Sequence, residues 1–189
     1  RNFSLVALAH IGSNIGQADD TFYAVKEVQN HLFKQLVRGK STTRAWAGLS
    51  LGIMANRLAE ERLSISTEVN HALAKELNSE NQPKRIAAYA LGIGLTGSVQ
   101  SSDALVDKLK IRDDEARGYV CVGLGLLNER KAIEDIRQII RQSKYRPDLL
   151  RQAAISLGLM GDYSLVPELI GMLQDARSLS TQASIVTAL

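Results

Sequence analysis

The sequence predicts an all-α solenoid of about five helical-hairpin repeats. Three observations carry that reading. A short motif recurs along the chain. It reads R-Q-A-A-I-S-L-G-L-M-G-D from Arg151 to Asp162 and R-G-Y-V-C-V-G-L-G-L-L from Arg117 to Leu127. It reads R-I-A-A-Y-A-L-G from Arg85 to Gly92 and R-A-W-A-G-L-S-L-G-I-M from Arg44 to Met54, with worn copies at Ser4–Gly12 and Thr181–Leu189. The spacing is the second observation. The glycine of the Leu-Gly pair falls at Gly52, Gly92, Gly125 and Gly158, and Ala9 and Ala188 replace it at the ends. The resulting steps of 43, 40, 33, 33 and 30 residues fit a stack of two-helix units. Third, no segment alternates apolar and polar residues over a useful length, so no sheet is expected.

In the first unit Phe3 to Ile11 forms an apolar helix and residues 12–17 break it. Asp19-Asp20 then caps a second helix from Thr21 to Val37. Phe22, Val25, Val28, Leu32 and Leu36 there keep the three-and-four rhythm of one helical face. Gly39 sits where a glycine ends a helix. In the second unit Ser41 is the cap candidate for Thr42 to Asn56. A charged connection from Arg57 to Ile65 follows. Ser66 caps a partner helix that turns Val69, Leu73 and Leu77 inward. Pro83 and Pro147 open the first helices of the third and fifth units, where a missing N–H costs nothing. The third unit's first helix ends near Gly97, and Ser101-Ser102 caps Asp103 to Ile111. Asp113-Asp114 caps the fourth, which ends at Leu127-Asn128. Its partner, Arg130 to Ser143, buries Ile133, Ile136 and Ile140. In the fifth unit Asp162 or Ser164 caps a helix carrying Val166, Leu169, Ile170 and Leu173, and Asp175 to Ser180 leads to a sixth, incomplete unit.

Composition fits this picture. Hydrophobic residues make up 45% and charged residues 23%, enough apolar surface to offset chain entropy and argue against disorder. The net charge of +3 is mild, and a solvated surface explains it more simply than a nucleic-acid footprint. The single cysteine, Cys121, excludes an internal disulfide. There is no apolar run long enough to cross a membrane. Residues 1–189 read as one solenoid domain. The chain opens on Arg1 beside an apolar helix and stops on Leu189 within a repeat, and is read as a fragment of a longer protein.

A glycine inside a helix costs about 1 kcal/mol relative to alanine. Four at one place in four repeats point to a steric need, the close approach of each unit's first helix to a neighbour. These first, or A, helices are apolar nearly all round, and the second, or B, helices carry one polar face. The expected arrangement has A helices in one layer and B helices in the other.

The pattern R-x-A-A-x-x-L-G-x-x-G-D, followed by V-P-x-L-x-x-x-L from Val166 to Leu173, resembles the HEAT repeat. The closest subtype is the short bacterial form named after phycobilisome-lyase HEAT-like repeats. The likeness is tightest from Arg117 to Leu173 and looser from Arg44 to Ile111. It implies a right-handed α-α superhelix with B helices lining the concave face. It implies no single activity.

No catalytic constellation stands out. Hydroxylases built on HEAT repeats bind iron through His-Glu pairs, but His10, His31 and His71 are scattered and none precedes a glutamate. Trp46, between two alanines, reads as packing rather than as part of a base-recognising cleft. Cys121, between two valines, reads as a core residue. Gly92, Gly94 and Gly97 mimic a phosphate loop loosely, but they follow a helix and no lysine follows them. No cofactor and no metal are expected.

One surface stands out. Arg130, Glu134, Arg137 and Arg141 share a face of the fourth B helix at spacings of four, three and four. An Arg130–Glu134 pair on a solvated face is the plainer reading. The alternative is a ligand-binding patch extended by Asn70 and Lys75, Asp107 and Lys108, and Glu168 from other B helices. The sequence thus points to a non-enzymatic interaction scaffold that holds a protein or peptide, an acidic one, on its concave face. Nucleic-acid binding through the same Arg and Lys residues, and an accessory or lyase-type role, are the alternatives.

Overall fold

The computed structural model describes residues 2–14 and 21–188, and the side chains of Thr21, Phe22 and Ala188 lie outside that description. The cap expected at Asp19-Asp20 and the inward face expected of Phe22 therefore fall outside the described residues. Eleven α-helices are present among them and no strand. They are α1 (Phe3–Gly12), α2 (Thr21–Arg38), α3 (Ser41–Glu60), α4 (Thr67–Ser79), α5 (Pro83–Thr96) and α6 (Ser102–Lys108). Then follow α7 (Asp114–Leu127), α8 (Ile133–Gln142), α9 (Pro147–Leu159), α10 (Val166–Asp175) and α11 (Leu179–Ala188). The chain is an all-α helical repeat solenoid.

Local chemistry sets most helix ends. Pro83 and Pro147 occupy the first turns of α5 and α9. The Ser66 hydroxyl accepts from Glu68 N at 3.2 Å, and an Asp113 carboxylate oxygen accepts from Ala116 N at 2.8 Å. Each satisfies one of the donors a helix start leaves open. Gly97 and Asn128 end α5 and α7 with φ of 66° and 54°, left-handed values that only these residue types adopt readily. Other boundaries differ from the sequence reading. Ser41 is the first residue of α3, and Lys40 holds the cap position with extended backbone. The expected connection from Arg57 is helical as far as Glu60. Tight 3-10 turns, Val99–Ser101 and Arg130–Ala132, lead into α6 and α8.

The odd-numbered helices form one continuous layer, each packed on the next: α1 on α3, α3 on α5, α5 on α7, α7 on α9 and α9 on α11. The B helices form the second layer. By backbone approach α4, α6, α8 and α10 sit closest to the A helix of the following unit rather than to their own. One apolar core runs through the stack from Leu5 to Ile185. It takes Leu51, Met54, Ile86 and Leu124 from the A layer and Leu73, Leu77, Ile136 and Ile140 from the B layer.

Glycines set the A-layer spacing. An added Cβ on Gly52 would meet the backbone of Gly92, and one on Gly92 would meet that of Gly48 at 2.7 Å. Gly94 and Gly125 would likewise meet Gly123 and Ser156 at 2.8 Å. The expected steric need is thus real for three of the four marker glycines. Gly158 is the exception: it is exposed, and a Cβ there would have nothing within 4 Å.

Candidate functional site

The B layer carries the residues expected to form an Arg-centred strip. Arg137 and Arg141 lie one turn apart on α8, and both are engaged within the chain. Arg137 donates through Nε to Asp162 at 2.9 Å and its Nη2 stands 2.8 Å from the same oxygen, a two-point contact. A further bond reaches Glu134 at 3.2 Å. Arg141 pairs with Glu168 of α10 at 3.3 Å and with Glu134 at 3.5 Å. Lys144 stands 3.7 Å from Asp175. Glu134 thus pairs with Arg137 and Arg141, not with Arg130 as the sequence spacing suggests. These contacts bind the fourth B helix to the fifth unit and neutralise the two central arginines of the expected strip.

The remaining strip residues divide. Lys75 on α4 and Arg130 in the turn before α8 are exposed, with no ion pair among the described residues. Asp107 faces its neighbour Lys110 at 3.9 Å. Lys108 is half-buried and turns back to the end of α4, where Nζ donates to the carbonyls of Asn78 (3.1 Å) and Glu80 (2.8 Å). A cation is well placed there, at the negative end of a helix. Burial lowers the Lys108 pKa, and the Glu80 charge acts the other way. Asn70 is a correction. It was expected to project from the strip, yet it is 8% exposed, on the buried stripe with Val69 and Leu73. Its backbone carbonyl accepts from the Ser101 hydroxyl at 3.3 Å.

Arg117 was read in the sequence only as a repeat marker. Its counterparts each hold a carboxylate. Arg44 pairs with Glu76 at 2.8 Å, Arg85 with Glu80 at 2.7 Å and Arg151 with Asp148 at 3.0 Å. Burial pushes the Glu80 carboxyl up, but hydrogen bonds from Arg85 and from the N–H groups of Gln82 and Asn81 outweigh it and leave the group below its ordinary value. Arg117 has no such partner among the described residues; its Nε is buried and unsatisfied, as is the Nε of Arg44. It lines a pocket of about 290 Å³ between α6 and α8. Comparing the second and fourth units residue by residue would have found it, because the acid that answers Arg44 has no equivalent at the matching place.

The chemistry-bearing residues do not converge. Cys121 is fully buried, and burial pushes its thiol up to about 12 against a small opposing pull from Arg117. His10, His31 and His71 lie exposed on three different helices. No group of three metal-ligating side chains occurs among the described residues. Trp46 is half-buried with Phe3 tilted over it, ring centroids 5.2 Å apart. It lines a shallow apolar concavity of about 400 Å³ on the A layer with Leu49, Leu91 and Tyr119. Among the described residues no helix is long and apolar enough to cross a membrane.

A repeating hairpin, a glycine-spaced A layer and charged contacts between successive B helices together describe a known repeat type. Residues 102–189 match the family of HEAT repeats. The match supports a HEAT-repeat family for the chain, and it covers α6 to α11, where the motif copies are tightest. No curated protein matches the chain. HEAT repeats generally serve as protein-interaction scaffolds, and the two-layer geometry suits that use. Each B helix is buried on one stripe only and turns its other side to solvent.

Proposed function

We propose that the chain is a non-enzymatic HEAT-repeat scaffold that holds an extended, acidic protein segment along its B-helix layer. On this reading the repeats are of the short phycobilisome-lyase-like subtype, form one domain and coil right-handed with the B layer on the inner curve. The observation that carries the proposal is the charge left over on that layer. Carboxylates within the chain already answer Arg137, Arg141 and Lys144. Lys75 in the second unit and Arg130 in the fourth keep uncompensated positive charge on that layer, and Arg117 of α7 adds to it where its pocket opens between α6 and α8. Arginine suits the task, because its planar fork binds a carboxylate at two points.

The test uses a fluorescently labelled glutamate-rich decapeptide and a labelled single-stranded DNA oligonucleotide, titrated with the intact chain. Saturable one-to-one binding of the peptide, with weaker binding of DNA, is the expected result. Tight DNA binding with a steep fall in added salt would favour the nucleic-acid reading instead. Binding of neither probe would remove the proposal.

A further inference from the structure

We infer that the pocket between α6 and α8 seats one carboxylate side chain of the partner on Arg117. This rests on the scaffold reading above and names the anchor point. The argument begins with the internal repeat. Arg44 precedes its marker Gly52 by eight residues, and Arg117 precedes Gly125 by the same number. Glu76 lies three residues before the end of α4 at Ser79, and Ile139 lies three before the end of α8 at Gln142. The buried stripes agree with that register: Leu73 and Leu77 match Ile136 and Ile140, all fully buried. In the second unit the arginine and the acid meet. In the fourth, an isoleucine holds the acid's place, and Arg117 faces a pocket instead of a carboxylate.

The lining suits the missing group. Gln138 and Gln142 bring amide donors to the α8 side, and Ile139 forms part of the wall. Two cations, Arg117 and Lys110, and one acid, Asp135, line the pocket, and Lys110 stands 3.9 Å from Asp107 outside it. Of the two cations, Arg117 has no ion pair among the described residues. Its Nε is buried without a partner, as is that of Arg44, which meets Glu76 through Nη1; a carboxylate in the pocket would answer the Arg117 guanidinium as Glu76 answers Arg44. The volume of about 290 Å³ accommodates a glutamate side chain, whereas a folded domain has to engage it through a protruding residue. The acid in the lining, Asp135, lies on the α8 turn before Ile139, and it forms no ion pair with Arg117 among the described residues.

The experiment follows the arginine Nε–H resonances of the labelled chain by NMR. The probes are a blocked Gly-Gly-Glu-Gly-Gly peptide, its Gln counterpart and inorganic phosphate. The Arg117 signal should shift saturably with the Glu peptide and not with the Gln peptide. Arg117→Met should abolish that response and weaken the glutamate-rich decapeptide by about tenfold, the loss of one charge-assisted contact. Ile139→Glu should restore the second unit's arrangement, close the pocket from within and also abolish the response. If Ile139→Glu does not fold, Arg117→Met decides alone. Equal shifts from the Gln peptide, or a response to phosphate with none to the Glu peptide, would overturn the assignment. Undiminished decapeptide binding to Arg117→Met would overturn it while leaving the scaffold reading in place. Failure of the decapeptide to bind the wild-type chain would remove both.

Discussion

A Cβ placed on Gly52 would stand 2.6 Å from the Cα of Gly92 and closer still to its carbonyl oxygen. The two helices α3 and α5 touch backbone to backbone there, so neither side has a flexible group that can give way. Gly52→Ala should therefore destabilise the chain by about 1–3 kcal/mol through overpacking, although alanine is the better helix former. Gly158→Ala is the control. It adds its methyl to open space, and should leave stability unchanged or raise it by up to about 1 kcal/mol. Urea melts of the two variants against wild type check the pair. Equal midpoints for Gly52→Ala and wild type would show that the approach of α3 to α5 is not set by glycine.

That contrast shows what could be read from the sequence. The recurrence of Leu-Gly signalled one structural role four times, and the role holds at Gly52, Gly92 and Gly125. It fails at Gly158 because a marker residue reports its own helix and not what lies opposite. Caps at Ser66, Asp113, Pro83 and Pro147 were legible because each depends on contacts within a few residues. The pairs on α8 were not. Spacing along one helix offered Glu134 to Arg130, but Asp162 and Glu168 approach from the next unit and reorganise the set. Asn70 was missed for the same reason: the turn carrying Ser101 covers it. Arg117 was visible as a letter in the motif, and its lack of an answering acid shows once the second and fourth units are aligned, with Ile139 at the place of Glu76.

The Cys121 thiol offers a direct probe of core integrity. It is fully buried in α7, and burial pushes it up to about 12, so almost no thiolate exists at neutral pH. The thiolate is the reactive form. Labelling by a thiol-specific disulfide reagent near neutral pH should be at least about a hundredfold slower in the folded chain than in denaturant. Rapid labelling of the folded chain would mean that α7 opens locally on the time scale of the assay.

Charge reversal separates structural from available arginines. Arg137→Glu would set a third acid beside Asp162 and Glu134, so its melting temperature should fall. Arg130→Glu touches an exposed residue with no ion pair among the described residues, and its melting temperature should stay within a degree or so of wild type. Thermal melts followed by circular dichroism provide the comparison. Equal midpoints for the two variants would show that the contact of Arg137 with Asp162 adds nothing to the junction of the fourth and fifth units.

The same junction should make the chain acid-sensitive. The Arg137 hydrogen bond holds Asp162 below its ordinary value of 3.8, and an N–H from Ser164 assists. Glu80 is also held below its ordinary 4.5, because the bonds from Arg85 and two backbone N–H groups exceed the effect of its burial. A carboxylate with a lowered pKa takes up its proton at lower pH in the folded chain than in the unfolded one. As pH falls, the unfolded chain binds protons first, and the balance moves toward unfolding. The stabilisation from both groups is complete above the ordinary carboxylate range. It should begin to fade near pH 4.5 for Glu80 and near 3.8 for Asp162, and be lost as each folded value is passed. Arg137→Gln removes the cause of the Asp162 shift, so the variant should lose less stability than wild type over the lower part of that window while being less stable at neutral pH. Urea midpoints measured from neutral pH down through the window test this. Parallel pH profiles for wild type and Arg137→Gln would show that Asp162 is not held by Arg137 in solution.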